Sequence, residues 1–529
     1  MSVAADLTAR ELLDGYRART LSPTEVLDSV LERMAADEPR LRATYAPDPE
    51  GARTAARESE KRWADGAPIG ALDGVPVTIK ENIATSGTPS PLGTAATVLQ
   101  PAAADAPAAA RLREAGAVIV TKTTMPDYGM LGSSQSSFHP VTRNPWDLTR
   151  TPGGSSSGAA AAAAAGYGTL HLGTDIGGSV RQPSGWNGIV GLKPTFGRVP
   201  VDPPYIGRVI GPMCRTAADA SLLMSVIGVP DPRDHTALPA AEIDWPDSPG
   251  DVRGLRIGLL SSVGTALDTD PEIRAAVEAA ARVFEAAGAV VTPAEPFMTR
   301  EMLDGIDRFW RARAFADLAK LPEERCRAVL PAITEWAASG ETMTDAEVFH
   351  GFGQIDAMAV AANRALAELD HLLLPTAPIP PFPVEYGSVF DDPQRPFEHI
   401  ATSLPFNMSG QPAVSVNCGY TAAASRSACR SSEGASTTPA CWLPPWPTRS
   451  CARPSAPGPR CDRGYPRVPT KVASRRATEG GGRRRSPPRH WVRPSRRCHA
   501  VIAAGSALAE EVGGGTNGPM RSQISSAVS

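Results

Sequence analysis

The 529-residue sequence has little that would hold it in a membrane, direct it out of the cell or load it with a metal. No run of about 18 uninterrupted apolar residues occurs, so no membrane partner is expected. The opening MSVAADLTARELL lacks the basic segment and apolar stretch of a secretory signal, and a cytoplasmic protein is the expectation. Cys214, Cys326 and Cys418 show no CxxC or other ligand spacing and read as reduced thiols. No carboxylate and histidine cluster has metal spacing either, so neither a metal nor another cofactor is expected. The Gly/Ser run at 152–158 lacks the Gly-Lys-Ser/Thr ending of a phosphate-binding loop. The most telling absence lies in GTDIGGSVRQPSG, residues 173–185. Ser179 follows two glycines between Asp175 and Arg181, with no histidine close behind it.

What is present divides the chain in two. Residues 1–420 carry 35 Lys+Arg against 51 Asp+Glu, whereas residues 421–529 carry 18 against 5. In the acidic part, short buried strands alternate with helices, which marks an α/β core. Ser22-Pro23-Thr24-Glu25 reads as a capping box opening an amphipathic helix. Ala117–Val120, residues 255–260 and the start of 370–381 read as strands, and residues 271–288 as a helix. Ala159–Ala165 are seven consecutive alanines closed by Gly166, a helix with almost no side-chain bulk that fits closely against a sheet. The basic segment, 421–529, has no sustained period and reads as an aberrant, disordered tail. Supposed to be written in GC-rich codons and read one base earlier, residues 424–432 can spell a buried-strand sequence, GLPIGVQIVG. The tail is therefore read as the product of a frame slip near residue 422 rather than as a nucleic-acid arm.

Three features carry chemistry: Lys80 at the end of GVPVTIK, the serines of PGGSSSG (152–158), and Ser179. Gly154-x-Ser156-x-Gly158 formally matches a nucleophile elbow, but polar RNPWDLTRTPG precedes it where an elbow needs a hydrophobic strand. His171 in TLHLG reads as a core histidine rather than a partner of Ser179.

In order and spacing, the lysine motif, PGGSSSG, the small-residue helix, DIGGSVR and GLKPTFGRV resemble the amidase signature family across residues 5–420. The resemblance implies an α/β fold: one large domain with a central mixed twisted β-sheet flanked by many helices. Residues 1–60 would be a helical N-terminal segment of that domain and 61–420 its signature core. It further implies Ser179 as nucleophile, Ser155 as bridging serine and Lys80 as base. The backbone of Ile176, Gly177, Gly178 and Ser179 would form the oxyanion hole. Gly129 is placed where relatives contact the acyl part. Asp175 and Arg181 read as structural support of the loop, in preference to contact between Arg181 and an anionic substrate.

The chemistry is coherent on its own terms. A serine attacks an amide only when its proton is removed, and Ser-Lys arrangements replace Ser-His-Asp. Burial beside Val77 and Ile79 favours the neutral amine that a base requires. The implied reaction is hydrolysis of a small-molecule carboxylic acid amide to acid and amine or ammonia, with a homodimer left open. Hydrolysis of ureides or carbamates, and the A subunit of a glutamyl-tRNA(Gln) amidotransferase, are alternatives within the family. A misfolded, inactive frame-slip product is the alternative outside it.

Overall fold

Ser22 starts a helix as its spacing predicts. Its hydroxyl accepts from the Glu25 backbone N–H, Glu25 reaches back to the Ser22 N–H, and the helix runs Pro23–Leu41. The computed structural model describes residues 3–245, 250–421 and 500–506. Within them the alanine run forms the helix Ser157–Ala165, closed by Gly166 in the left-handed conformation. Ala159–Ala163 are fully buried, and the helix packs on the strands that carry the site.

Eleven strands among the described residues build one sheet. In chain order they are β1 (Thr44–Tyr45), β2 (Pro76–Lys80), β3 (Val118–Thr123), β4 (Leu170–Asp175), β5 (Val190–Lys193), β6 (Val209–Cys214), β7 (Arg256–Leu259), β8 (Val290–Pro293), β9 (His371–Pro375), β10 (Ala413–Gly419) and β11 (Ala500–Ser506). Their spatial order is β1-β3-β2-β4-β6-β5-β10-β11-β9-β7-β8. β3, β2 and β4 run parallel, whereas β6 is antiparallel to both β4 and β5. Every residue of β2, β4 and β6 is buried, as strands covered on both faces require. Helices including Pro271–Ala286, Arg300–Leu318 and Asp345–Ala365 flank the sheet, giving the expected mixed α/β architecture.

One central strand carries unfavourable residues, and one further strand departs from the sequence expectation. β6 contains Gly211 and Pro212, residues that argue against a central strand. It nevertheless lies between β4 and β5, where pairing on both sides outweighs local propensity. The departure is in the basic tail. Residues 422–499 and 507–529, and with them the proposed frame slip, lie outside the described residues. Ala500–Ser506, however, forms β11, parallel to β10 on one side and β9 on the other, and so is not the disordered tail expected there. A composition averaged over 421–529 hides the short apolar run AVIAA, whose backbone groups complete two ladders. Among the described residues no helix is long and apolar enough to cross a membrane.

Candidate active site

β2 and β4 are parallel neighbours, so their C-terminal ends open on the same edge of the sheet. Lys80 ends β2 and Asp175 ends β4. Such an edge is where ligands meet parallel strands. The serine run reaches the same place because Ser157 begins the helix that packs on β2 and β4.

Lys80 is 0% exposed, and its Nζ lies 2.8 Å from Ser155 Oγ, 3.1 Å from Ser156 Oγ and 3.0 Å from Thr174 Oγ1. All three partners are hydroxyls. Burial pushes the ammonium down to about 7, against the raising fields of Glu81 and Asp175 and with a lowering field from Arg208. Ser156 is itself committed: its hydroxyl donates to the Thr174 carbonyl (3.2 Å) and accepts from the Thr174 N–H (3.3 Å). Asn82 Nδ2 donates to Thr174 Oγ1 (3.1 Å). Ser155, which follows a cis Gly154–Ser155 peptide, has Lys80 as its one side-chain hydrogen-bond partner among the described residues.

Asp175 organises the loop that presents Ser179. Its carboxylate accepts from the backbone N–H of Gly178 (2.9 Å), Val180 (3.1 Å) and Arg181 (3.4 Å). Arg181 adds a fork from Nε (3.0 Å) and Nη2 (2.9 Å), and Asn407 Nδ2 a further bond at 2.9 Å. Burial raises the carboxyl, but the charge and hydrogen bonds of Arg181 and Asn407 overcome it and hold Asp175 well below the usual carboxylate range. Arg181 is equally buried and donates two further bonds, to the Ser403 carbonyl and Asn407 Oδ1. Four of its five guanidinium N–H groups are thus engaged in holding the loop.

The four peptide N–H groups expected to form the oxyanion hole are not equivalent. That of Gly178 points back to Asp175 Oδ1, while the Gly177 carbonyl on the other side of the same peptide accepts from Ser403 Oγ (2.6 Å). The Gly178 N–H is thus removed from the expected set. The N–H groups of Ile176, Gly177 and Ser179 have no acceptor among the described residues. Gly178 sits at φ +124°, and a Cβ there would lie 2.3 Å from Ser403 Oγ, so only glycine fits. Ser179 is half-buried, in contrast to its fully enclosed neighbours.

Gly129 also reaches the site: at φ +70°, a Cβ added there would lie 3.2 Å from Ser155 Oγ. The next residues, Met130 and Leu131, line a small cleft with Ile333, Trp336 and Phe397. Lys80, Ser155 and Ser179 are not among its lining residues. His171 lies in the sheet, its Nδ1 2.8 Å from Thr78 Oγ1, and burial pushes it down to about 3, which keeps it neutral. Sequence reasoning missed Ser156 as a lysine partner, together with Thr174, Asn82, Ser403 and Asn407. Ser156, in the serine run, and Thr174, a hydroxyl residue beside the Asp175 motif, had a local signal.

The amidase family pattern matches residues 25–437. The A subunit of the glutamyl-tRNA(Gln) amidotransferase from Chloroflexus aurantiacus is 33% identical over 449 residues, covering 78% of this chain and 90% of its own length. The structure is similar to a bacterial aryl acylamidase of the amidase signature enzymes (TM-score 0.72, 28% identity, 79% of this chain and 90% of that one). It is also similar to the peptide amidase of Stenotrophomonas maltophilia (TM-score 0.67, 27% identity, 78% and 91%). Members of this family are carbon–nitrogen hydrolases or amidotransferases, and a Ser-Ser-Lys triad is characteristic of them. With its motifs, its sheet and its relatives in agreement, this chain belongs to the amidase signature family.

Proposed function

We propose that the chain hydrolyses a carboxylic acid amide to the acid and an amine or ammonia through an acyl-enzyme on Ser179. The observation that carries the reading is a buried lysine whose hydrogen-bond partners are hydroxyls rather than carboxylates. A neutral amine has two N–H donors and one lone pair, and hydroxyls serve both. Ser156, whose own proton goes to the Thr174 carbonyl, accepts from Lys80. Ser155 then donates to the lone pair and leaves its oxygen free to accept the Ser179 proton.

As Ser179 Oγ bonds to the amide carbon, its proton passes to Ser155 and that of Ser155 to Lys80. The negative charge that builds on the carbonyl oxygen is met by the free N–H groups of Ile176, Gly177 and Ser179. One such donor is typically worth about 100- to 1,000-fold in rate. On collapse, the carbon–nitrogen bond breaks and the proton returns through Ser155 to the leaving nitrogen, which departs as a neutral amine. Water then repeats the attack on the ester by the same route, releasing the acid and restoring Ser179.

A fluorophosphonate probe tests the nucleophile: the wild type is expected to label and Ser179→Ala to stay unlabelled. Equal labelling of both would sink the assignment. A second reading, the amidotransferase role, is favoured by the name of the Chloroflexus relative. The two separate on a chromogenic anilide, which a stand-alone hydrolase turns over with no other protein added.

A further inference from the structure

Arg208 immediately precedes β6 and has no ion-pair partner among the described residues. The antiparallel register sets Val209 against Asp175, which places Arg208 across from Ile176, the first residue of the oxyanion segment. Its field reaches Lys80. Apart from a 3.5 Å contact of Nη1 with the Pro203 carbonyl, its guanidinium has only the Tyr205 ring, 5.3 Å from the centroid. A second guanidinium, Arg313, stacks 4.0 Å from the centroid of that ring. Arg313 is one turn beyond Trp310 on the helix Arg300–Leu318, and a Cβ added to Gly177 would lie 3.8 Å from Trp310. The Tyr205 hydroxyl is buried without a hydrogen-bond partner. Arg313 has only a loose, exposed pairing with Asp317 at 3.6 Å.

Two cations with so little anionic compensation repel each other, and a partly buried guanidinium without a carboxylate is costly. The pair lowers the proton affinity of Arg208, as burial does first. An unpaired hydroxyl donor beside them adds a third group that lacks an acceptor. An anion between these groups satisfies all three, with charge-assisted hydrogen bonds from the planar fork of Arg208. Arg181, the other arginine beside the nucleophile, already commits four of its five N–H donors to Asp175, Ser403 and Asn407 and is ion-paired with Asp175.

We infer that Arg208, with Arg313 and the Tyr205 hydroxyl, forms a carboxylate-binding site at the edge of the oxyanion loop and selects amides that carry a second, anionic group. The inference rests on the hydrolase reading for its substrate class. It is tested with 4-nitroanilides of succinic, glutaric and adipic acid against the matching uncharged acyl anilides. For a carboxylate on the amine side, 4-acetamidobenzoate is compared with 4-acetamidotoluene. In at least one series the charged member is expected to be preferred about tenfold or more in kcat/KM. That ratio should fall about tenfold in Arg208→Gln and by a smaller factor in Arg313→Gln, whose partly exposed helical position tolerates the change. Equal treatment of charged and uncharged amides, or a ratio that survives both substitutions, overturns the site. If no amide of either kind is hydrolysed, the hydrolase reading fails, and the anion site is decided by calorimetry with glutarate. Binding by the wild type that is lost in Arg208→Gln supports it, and no binding by the wild type refutes it.

Discussion

Lys80 and Lys122 sit on adjacent parallel strands, β2 and β3, yet in the proposed mechanism only Lys80 acts as a base. The register sets Lys80 against Thr123 and Ile79 against Lys122, so the one-residue offset sends the two lysines to opposite faces of the sheet. Both are buried, and burial pushes both down to about 7. Their partners differ. Lys80 meets three hydroxyls, those of Ser155, Ser156 and Thr174, and the Ser156 N–H donates to the carbonyl of the half-buried Ser179 (3.2 Å). Lys122 donates to the Ile83 carbonyl and Thr85 Oγ1 in the loop that follows Lys80, and fastens that loop. A depressed proton affinity thus marks burial; a hydroxyl that can pass a proton onward toward a nucleophile marks a base.

The largest expected effect comes from removing the proposed base. Lys80→Met should lower kcat/KM on an anilide by about 1,000-fold or more, within the range general-base catalysis supplies and with Ser155 left without its acceptor. Ser155→Ala should cost about 100-fold, because the lysine then lacks its link to Ser179. A Lys122→Met variant as inactive as Lys80→Met would erase the distinction between the two faces.

The pH profile sharpens the same comparison. In the proposed mechanism Lys80 works only when neutral, so kcat/KM should plateau above about pH 8 and fall about tenfold per unit below the value near 7 to which burial pushes it. Removing the opposing field of Glu81 by Glu81→Gln should move the limb further to acid pH. A limb that stays put in that variant would remove Lys80 as the group being titrated. Ser156→Ala should cost only a few-fold, since Ser155 and Thr174 Oγ1 remain as lysine partners.

How far the sequence reveals these roles follows from where each contact comes from. Lys80, Ser155, Ser179, Asp175 and the glycines are legible because backbone geometry and nucleophile chemistry force particular residue types into short motifs. Gly178 is the sharpest case, since its φ and the nearby Ser403 hydroxyl exclude every side chain. Asn407 and Ser403 lie more than 220 residues from the loop they brace and belong to no motif or period. The position of β6 between β4 and β5 was likewise hidden, because Gly211 and Pro212 break the strand pattern that tertiary pairing restores. The unpaired Arg208 emerges only when the register brings it across from Ile176.

Lys122→Met has the smallest expected effect on rate, about twofold or less, and its consequence appears in stability instead. The folded-state proton affinity of Lys122 lies near 7, whereas the unfolded chain binds that proton up to about pH 10.5. Between those values the unfolded state holds more protons, so wild-type stability rises with pH across the window and levels off on either side. One fully buried lysine contributes at most about 1.4 kcal/mol per pH unit to that slope. Chemical denaturation of Lys122→Met from pH 7 to 10 should therefore give a shallower rise than the wild type while the anilide rate is retained. An unchanged slope would mean that Lys122 keeps its proton in the folded protein. The contrast between the two lysines would then lie in their charge state, and no longer in what their partners can do with a proton.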